Sequence, residues 1–357
     1  MGAKSVVVAG AGGNIGSHAV LNLGRAPEVA RITLIDRDRY EHRNLLNQNI
    51  LPRDVGQWKA VVLARRLLEI RPDLEVRIFH APLENLPGGV FRADLIVSCL
   101  DSRAARQALQ ERAWRMGSVL VDSGVMGSES LARVNVYTPA ADMPCLECAW
   151  SEEDYRMAGR RYLCSGTVDA PAPNGASCEL GALAGAMLAI ESRKMLAGEF
   201  DCAAIGRQVT LNARWHGLTV TSFRRNPRCR FDHAVWRVEP LRCDIEGTRI
   251  ADLLDTAPSI RVPGHRFVRR LICLACREEK RLFHLDASLD GAARGCARCQ
   301  LPMVAAGFDI VESLDRNLPA DVRRRSLAEA GLRVGEVLQA GDRFFEILAN
   351  PVIGKGI

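Results

Sequence analysis

The residues with the clearest chemical potential follow the first apolar run of the chain, residues 6–9. Four closely spaced glycines come directly after it: Gly10, Gly12, Gly13 and Gly16. A buried strand, a tight glycine turn and a helix leave backbone N–H groups free to hold phosphate. A second apolar run, 31–35, ends in Asp36, where a carboxylate can accept hydrogen bonds from ribose hydroxyls. These residues predict a nucleotide site on a doubly wound sheet.

The polar run after Asp36 indicates which nucleotide chemistry this is. Asn44 and Gln48 would lie beside the phosphates. Lys59 follows at a predicted helix start, where a point cation neutralises phosphate oxygens during transfer. Asp101 ends an apolar strand at the sheet edge that binds ligands, and a carboxylate there suits Mg²⁺ together with substrate phosphates. Together these residues predict attack on the α-phosphate of ATP, with pyrophosphate leaving.

Each feature has a plainer interpretation when taken alone. Lys59 could be a solvated helix lysine, and Asp101 could be the N-cap of the segment that begins at Ser102. The glycine turn could belong to an NAD-dependent oxidoreductase. The complete set favours ATP chemistry over these interpretations.

Alternating strands and helices must position these residues. The sequence predicts strands at 5–9, 31–35, 75–80, 94–99, 118–122 and 132–137, and helices near 14–25, 56–70 and 103–116. Such alternation predicts an α/β fold with a Rossmann-like, doubly wound, mainly parallel sheet. Residues 138–177 are expected to form a long loop, and 206–220 a strand or two. Residues 179–196 have helical spacing, with small residues that allow close approach of a neighbour.

Length and composition limit the possible classes of protein. A chain of 357 residues is long enough for one large domain and an appended module. The net charge of +6 is spread along the chain, which favours solvated helix faces over a nucleic-acid surface. No apolar run reaches membrane-spanning length, so we expect a cytoplasmic protein without a membrane partner. Twelve cysteines, several in CxxC pairs, indicate metal binding rather than disulfides in that compartment.

The motifs together resemble those of a known family over roughly residues 5–235. They are Gly10-x-Gly12-Gly13-x-x-Gly16, Asp36-x-Asp38, Asn44-Leu45-x-x-Gln48, Gly56-x-x-Lys59-Ala60, and Asp101 with Arg106. The chain is similar to the ThiF, MoeB and ubiquitin-activating-enzyme superfamily of ATP-dependent adenylyltransferases. This resemblance implies a homodimer that adenylates the C-terminal carboxylate of a ubiquitin-like or sulfur-carrier protein. It implies that Asp101 binds Mg²⁺, and it implies nucleotide contacts for the glycines and for Asp36, Asp38, Asn44, Gln48, Lys59 and Arg106.

The chain departs from the family pattern in the phosphate site. Asn47 stands where the family usually has an arginine before the glutamine. Many members also carry an arginine finger on an N-terminal helix, whereas this sequence begins at its first strand; Arg43 is a candidate substitute. A non-catalytic nucleotide-binding scaffold is therefore an alternative. Within the enzyme class, adenylation of a small molecule or of tRNA is another.

Two sets of cysteines predict structural zinc sites. Cys145 and Cys148 are half of a tetrahedral site, which family members commonly close after an Asn-Pro pair. Here we expect Cys229 and His233 to complete a Cys₃His set, the alternative being an unstructured Cys229 with a surface His233. The second set is two CxxC pairs with ribbon-like spacing: Cys273, Cys276, Cys296 and Cys299. Because each set supplies four ligands, both sites are predicted to be structural rather than catalytic.

Two further cysteines are candidate nucleophiles. Family members that form a thioester use a cysteine in the crossover region, often one just before the following helix. Cys178 fits that position, and a helix N-terminus lowers the pKa of a thiol. Helix capping or simple packing is the alternative role for Cys178. Cys164 is the second candidate.

The family resemblance and a shift in composition after Glu246 together predict three regions. An adenylation domain is expected at 1–245, with a crossover loop at about 150–177. A zinc-ribbon module is expected at 246–305, and an extension of short strands and one helix at 306–357. These last two regions would suit recruitment of the carrier protein or of a conjugating enzyme.

Overall fold

The computed structural model describes residues 2–159, 175–305 and 307–350. The chain divides into two compact units. The first comprises Met1–Glu84 and Phe91–Val235, and the second comprises Asn85–Val90 and Trp236–Ile357. Within the described ranges, no helix combines the length and the apolar character needed to cross a membrane.

An eight-stranded sheet forms the centre of the first unit. Its strands are β1 (Lys4–Ala9), β2 (Val29–Ile35), β3 (Glu75–Phe79), β4 (Leu95–Ser98), β5 (Val119–Met126), β6 (Leu131–Tyr137), β7 (Arg207–Asn212) and β8 (Gly217–Ser222). They lie in the order β3-β2-β1-β4-β5-β6-β7-β8, parallel from β3 to β5 and antiparallel from β5 to β8. The α/β class and the predicted strands are confirmed, and the sheet is parallel over its first five strands, as expected of a mainly parallel sheet, with three antiparallel pairs beyond β5.

The central strands are buried on both faces, which explains why they are recognisable as apolar runs. In β1, Val8 is inaccessible to solvent and lies between Leu34 of β2 and Val97 of β4. The chain proceeds from β1 outward to β2 and β3 and then returns to β4 on the other side of β1. This reversal opens a crevice at the carboxyl ends of β1 and β4, the position where open α/β sheets bind ligands.

The described part of the first unit contains five α-helices: α1 (Gly16–Leu23), α2 (Lys59–Ile70), α3 (Arg103–Arg115), α4 (Glu152–Gly159) and α5 (Cys178–Ala197). The predicted helices correspond to α1, α2, α3 and α5. Helix α4 corrects the expectation of a continuous loop over 138–177. It begins with a reciprocal cap, in which Ser151 Oγ donates to Asp154 Oδ2 at 2.7 Å and the Asp154 amide donates back to Ser151 Oγ at 3.3 Å.

Strand β8 ends the sheet among the described residues. All six of its residues are exposed, including Leu218 at 65% and Val220 at 52%. It carries no charged residue and no proline. The edge is therefore apolar and uncharged.

The second unit consists of small sheets around its own core. Its strands are β9 (Val238–Cys243), β10 (Ser259–Ile260), β11 (Phe267–Cys273), β12 (Glu279–Leu285), β13 (Met303–Ala305), β14 (Ile310–Val311), β15 (Leu314–Asp315), β16 (Val337–Ala340) and β17 (Arg343–Ala349); its helices are α6 (Ile250–Thr256) and α7 (Ala320–Arg323). Strand β11 pairs with β12, β13 and β14, β10 pairs with β15, and β17 lies between β16 and β9. Phe267 and Phe283 stack in the core with ring centroids 5.3 Å apart. The division into regions at 245 and 305 stays a prediction.

Candidate active site

The glycine loop passes against the end of β4 and the start of α2. Gly10 has a φ of +75°, and a Cβ there would lie 2.7 Å from the carbonyl oxygen of Cys99. A Cβ on Gly12 would lie 2.3 Å from the Cβ of Lys59. The loop is completed by Gly13 and Gly16. Side chains at Gly10 and Gly12 would fill the space between the glycine loop, the end of β4 and the start of α2. Glycine at both positions therefore keeps the crevice open.

Asp36, directly after β2, is tied to the glycine loop. Its Oδ2 accepts a hydrogen bond from the Gly12 amide at 2.8 Å, and its Oδ1 accepts one from the Asp38 amide at 3.0 Å. Burial raises the pKa of the Asp36 carboxyl, although both amide bonds favour its charged form. The structure therefore places Asp36, Asp38 and the glycine loop in one constellation.

Lys59 is the first residue of α2 and is only 8% exposed. Its Nζ lies 3.8 Å from Asp38 Oδ2 and 5.6 Å from the centroid of the Tyr40 ring. Its amide also donates to the Asp38 carbonyl at 3.0 Å. A solvated helix lysine does not have these surroundings, so that interpretation is wrong. The ammonium lies beside the glycine loop with one partly exposed carboxylate as its ion-pair partner.

Several buried polar atoms near the glycine loop have no hydrogen-bond partner among the described residues. They are Asn14 Oδ1, Tyr40 Oη, Asn47 Oδ1 and Gln48 Oε1. A buried polar atom without a partner is costly, and such atoms are explained by a ligand or by water. For Asn47 and Gln48, rotating the terminal amide by half a turn presents its NH₂ group to the same space, where phosphate oxygens would accept. This part of the first unit is thus suited to a polar, anionic ligand.

Asn44 and Arg43 lie in the 3-10 helix His42–Leu46. The Oδ1 of Asn44 accepts from the Glu41 amide at 2.9 Å, so this oxygen caps the turn. The Arg43 side chain is 76% exposed and its Nε lies 2.8 Å from Glu41 Oε2. Arg43 is therefore an exposed residue paired within its own turn, and its assignment as a substitute for the arginine finger stays a prediction.

Asp101 follows β4 at the carboxyl edge of the sheet and is exposed. It is not the N-cap of α3, because Ser102 holds that position and its Oγ accepts from the Ala105 amide at 3.2 Å. The capping interpretation of Asp101 is therefore wrong. Its carboxylate remains available at the edge where Mg²⁺ was predicted.

Arg106 lies behind the site and is held by protein acceptors. Its guanidinium donates to Asp122 Oδ1, to the Leu100 carbonyl, and to the Ser123 carbonyl at 2.6 Å. Arg133 donates to the other oxygen of Asp122 at 2.9 Å. Burial would raise the pKa of Asp122, but the two guanidiniums outweigh it and hold the pKa below its usual value. Arg106 therefore anchors the segment that leads into Asp101.

The first predicted metal set converges within the first unit. The ligand atoms of Cys145, Cys148, Cys229 and His233 all lie within 4.8 Å of one another. His233 is buried, so the alternative of a surface histidine is wrong. Its Nδ1 bonds to the Phe231 carbonyl at 2.8 Å, which turns Nε2 towards the Cys148 sulfur at 3.4 Å. Three thiols and an oriented imidazole fit a tetrahedral zinc ion.

The second set converges at the end of β11. The ligand atoms of Cys273, Cys276, Cys296 and Cys299 also lie within 4.8 Å of one another. Each CxxC pair is followed by a residue in the left-handed conformation, Arg277 and Gln300, both with φ of 62°. The amides of these two residues donate to the carbonyls of Cys273 and Cys296, each at 2.9 Å. Two equivalent turns thus present four sulfurs, a donor set that also fits zinc.

The structure describes one of the two candidate nucleophiles. Cys178 is the first residue of α5 and is partly exposed. Cys164 lies outside the described residues. Cys99, at the edge of the crevice, is buried, and burial raises the pKa of its thiol to about 12, which makes it an unreactive packing residue.

Sequence reasoning missed three residues of this region. Asn14 and Tyr40 contribute buried polar atoms, and His18 lies beside Cys178. Tyr40 could have been noticed as the lone aromatic residue in the polar run 37–44. The other two act through partners about 160 residues away in the chain, which no local pattern reveals.

A doubly wound α/β unit with a glycine loop, a buried lysine and an acidic edge defines a nucleotide-binding protein. Residues 1–232 match the ThiF family. The chain belongs to the ThiF family, which confirms the resemblance found in the motifs.

Individual relatives each match somewhat less than half of the chain. The Escherichia coli (strain K12) sulfur carrier protein ThiS adenylyltransferase is 29% identical over 164 residues, 44% of this chain and 64% of that protein. The Candida albicans adenylyltransferase and sulfurtransferase UBA4 is 29% identical over 42% of this chain and 34% of its own length. Ubiquitin-like modifier-activating enzyme 5 of Arabidopsis thaliana is 26% identical over 46% and 43%. The matches thus span between a third and just under two thirds of these relatives.

The fold has similar solved structures. A crystal structure of E. coli MccB with ATP has a TM-score of 0.54 at 20% sequence identity, covering 64% of this chain and 66% of that one. This likeness supports the fold.

Proposed function

We propose that this chain uses ATP to adenylate the C-terminal carboxylate of a ubiquitin-like or sulfur-carrier protein. The observation that carries the proposal is the convergence of the glycine loop, the Lys59 ammonium and unpartnered polar atoms at the crevice beside β1. The names of the E. coli and C. albicans relatives, both adenylyltransferases, support the same reaction. The nature of the carrier is inferred from the first of these names.

The ribose and the phosphates would be held by residues already tied to the glycine loop. Each carboxylate oxygen of Asp36 accepts one protein hydrogen bond and can accept another from a ribose hydroxyl. Because the oxygen of Asn44 is engaged as a cap, its NH₂ group is free to donate to a phosphate oxygen. Gln48, whose Oε1 has no partner among the described residues, would donate from its amide in the same way.

Lys59 and Asp101 would act on the negative charge that develops on the phosphate oxygens during the reaction. The carrier carboxylate attacks the α-phosphorus, and the bond to the pyrophosphate oxygen breaks. Lys59, fixed against Gly12, stabilises the negative charge that builds on the phosphate oxygens. Asp101 would hold Mg²⁺, which neutralises phosphate charge when bound. Arg106 supports this step by holding the Leu100 carbonyl beside Asp101.

Transfer of the carrier to a cysteine would follow adenylation. Cys178 is our assignment for the thioester, because it begins α5 and is partly exposed. Cys164 remains the second candidate. The two zinc sites would hold loops in place rather than take part in the reaction, since each already has four protein ligands.

The assembly state and the partners are part of the proposal. A homodimer is expected, and light scattering should give a mass twice that of the chain. The second unit is expected to recruit the carrier or a conjugating enzyme, and pull-down of the carrier by the full-length protein should depend on it. A cytoplasmic location is expected, and fractionation of the source cells checks it.

The reaction is tested by intact mass under non-reducing conditions. The protein is incubated with ATP, Mg²⁺ and a ubiquitin-like protein from its own genome. Lys59→Met and Asp101→Asn should each lower the rate of AMP–carrier formation at least tenfold, in the range seen when one transition-state donor is removed. The matched controls are Lys4→Met and Asp94→Asn, at the amino ends of β1 and β4. These two residues bind each other at 3.0 Å on the opposite edge of the sheet and should leave the rate unchanged.

Three results would contradict the proposal. Equal loss of activity in the control variants would show that folding, not chemistry, was affected. AMP–carrier formation at the wild-type rate in Lys59→Met would remove the lysine from the mechanism. Stronger thermal stabilisation by NAD than by ATP with Mg²⁺ would favour an oxidoreductase instead.

A further inference from the structure

A thiol and an imidazole lie next to each other at the start of α5. The sulfur of Cys178 is 3.5 Å from Nε2 of His18, which belongs to α1. Both side chains are partly exposed, and neither belongs to the two metal clusters found among the described residues. The pair is therefore accessible to solvent. Neither residue belongs to either candidate zinc site, so zinc binding does not explain why the two side chains lie together.

The packing of α5 on α1 creates this pair. Gly185 faces α1 so closely that a Cβ there would lie 3.1 Å from the Cβ of His18 and 3.0 Å from the Ile15 carbonyl oxygen. A Cβ on Gly181 would lie 1.5 Å from Asn14 Oδ1. Two glycines one turn apart thus let the two helices meet at backbone distance, and Cys178 comes to lie over His18.

The same region is tied to the glycine loop. Asn14 Nδ2 donates to the carbonyls of Ala176 and Ser177, both at 3.1 Å. The residues directly before Cys178 are therefore bonded to the loop that is proposed to hold the phosphates. An acyl group attached to the α-phosphate would be delivered close to this sulfur.

The imidazole has a lone pair that can accept a proton. Burial lowers the pKa of His18, so the ring is neutral near pH 7. Cys178 occupies the first turn of a twenty-residue helix, the end at which a helix dipole favours negative charge. The acidic residue of that turn is Glu179, which is exposed and whose carboxylate is stabilised by the helix amides.

We propose that His18 is the base that takes the proton of Cys178 and so makes this sulfur the acceptor of the activated acyl group. The thiolate forms a bond to the carrier carbonyl carbon, and the bond from that carbon to the phosphate oxygen breaks. AMP leaves with the electron pair, and the thiol proton stays on Nε2 of His18. The inference rests on the proposed adenylation, which supplies the acyl-adenylate.

Iodoacetamide is the probe for the thiol–imidazole pair. Alkylation of Cys178 in the full-length protein is followed by mass spectrometry from pH 5.5 to 9.5, in wild type and in His18→Asn. At pH 6.5 the variant should react at least about tenfold more slowly, because its thiol loses the neighbouring base that removes its proton. Exposed Cys202, measured in the same samples, is the internal control and should keep its profile.

Identical Cys178 profiles in wild type and variant would overturn the pairing. His18→Gln is the second variant, and an unchanged melting temperature in either variant shows that α1 still packs. A merely structural histidine would alter melting and leave the inflection of the pH profile in place.

The acyl step is separated from adenylation by its products. With ATP, Mg²⁺ and a ubiquitin-like protein from the same genome, His18→Asn should form AMP–carrier at the wild-type rate and the reducible Cys178 adduct at least tenfold more slowly. AMP–carrier without any adduct in wild type overturns the role of Cys178 and leaves adenylation standing. Failure to form AMP–carrier overturns the proposed function, and the alkylation profiles then decide the pairing by themselves.

Discussion

At the scale of single residues, Asp122 is the centre of a buried charge cluster behind the candidate site. It is 1% exposed and lies between the guanidiniums of Arg106 and Arg133. Such a buried cluster is retained only when each charge is satisfied, since an unpaired buried charge costs several kcal/mol. Through Arg106, the cluster fixes the Leu100 carbonyl and thus the segment that presents Asp101.

Replacing Asp122→Asn should therefore lower the free energy of unfolding by about 3–5 kcal/mol, because it leaves two buried guanidiniums without their carboxylate. Urea unfolding at pH 7 is the measurement. Asp94→Asn, on the same sheet but partly exposed, should cost about 1 kcal/mol or less. Equal costs for the two variants would mean that solvent screens the Asp122 cluster.

The same variant predicts a pH dependence. The pKa of Asp122 is lower in the folded chain than its ordinary 3.8. Its contribution is therefore complete above about pH 4 and is lost as the pH falls towards the lowered value. The difference in unfolding free energy between wild type and Asp122→Asn should shrink below pH 4; a constant difference from pH 7 to pH 3 would contradict this assignment.

Residue types and spacing were enough to predict the glycine loop, Asp36, Lys59 and the second metal set, which are short-range patterns. The first metal set joins two halves some eighty residues apart, and only the family pattern of ligands after an Asn-Pro pair connected them. The folded chain brings the members of each set together. Asp122 carried no such signal, because its role depends on Arg106 and on a neighbouring strand. The nucleotide and catalytic roles stay predictions until the ligand is bound.

Among the elements, helix α5 packs on α1 at backbone distance, because glycines of α5 lie at the contact. Gly181 lies where a Cβ would meet the Asn14 side chain at 1.5 Å, so any larger residue must displace that side chain from its position. The sequence predicted a close neighbour for this helix from its small residues. Which helix it meets, α1, follows only from the topology of the sheet.

Gly181→Ala should cost about 1–3 kcal/mol through overpacking and should also weaken ATP binding, because Asn14 loses its position. Gly159→Ala is the matched control, since a Cβ there meets nothing within 4 Å. Its effect should stay within about 0.5 kcal/mol. Thermal unfolding with and without ATP measures both effects, and a Gly181→Ala protein that binds ATP normally would show that the Asn14 bridge is dispensable.

The first metal cluster joins segments that are far apart in the chain. Cys145 is the N-cap of the short 3-10 helix Leu146–Ala149 and Cys148 lies within it, whereas Cys229 and His233 lie some eighty residues later. Trp114 of α3 donates to the His233 carbonyl at 2.9 Å, so the cluster also reaches a core helix. Zinc here would fasten a long connection to the body of the unit.

His233→Ala should remove one zinc per chain and lower the melting temperature, whereas His233→Cys should retain the metal in a four-sulfur site. Elemental analysis after gel filtration measures the metal, and calorimetry measures the melting. Zinc content unchanged in His233→Ala would remove the histidine from the ligand set. Cys202→Ala, at an exposed cysteine outside both clusters, is the control and should retain all the metal.

Helix α4 shows why hydrophobic periodicity does not predict every helix. Its eight residues have no buried member, so the apolar pattern that reveals α2 is missing. The segment Ser151-Glu152-Glu153-Asp154 nevertheless predicts the start of this helix. Ser151 supplies a side-chain cap, and acidic residues follow in the first turn. Capping signals would have found what hydrophobic spacing could not.

At the scale of the whole molecule, the chain consists of two units with separate cores. The second unit contains both β9, which precedes its cysteine pairs, and β17, which follows them, as parallel neighbours. Local composition predicted a cysteine-bearing module after residue 246. Pairing between strands a hundred residues apart has no compositional signal, so the extent of the sheet could not be predicted.

The open edge of the large sheet has a consequence for how the protein behaves in concentrated solution. Among the described residues, strand β8 is the open edge of the sheet and exposes Leu218 and Val220; its six residues are uncharged and include Thr219, Val220 and Thr221, which have high β propensity. Val220→Lys should slow the growth of light scattering on heating, whereas Arg207→Lys on β7 should not; equal rates would place the aggregation-prone segment elsewhere. Because no charge lies within the strand, we expect the folded chain to begin to form insoluble material there.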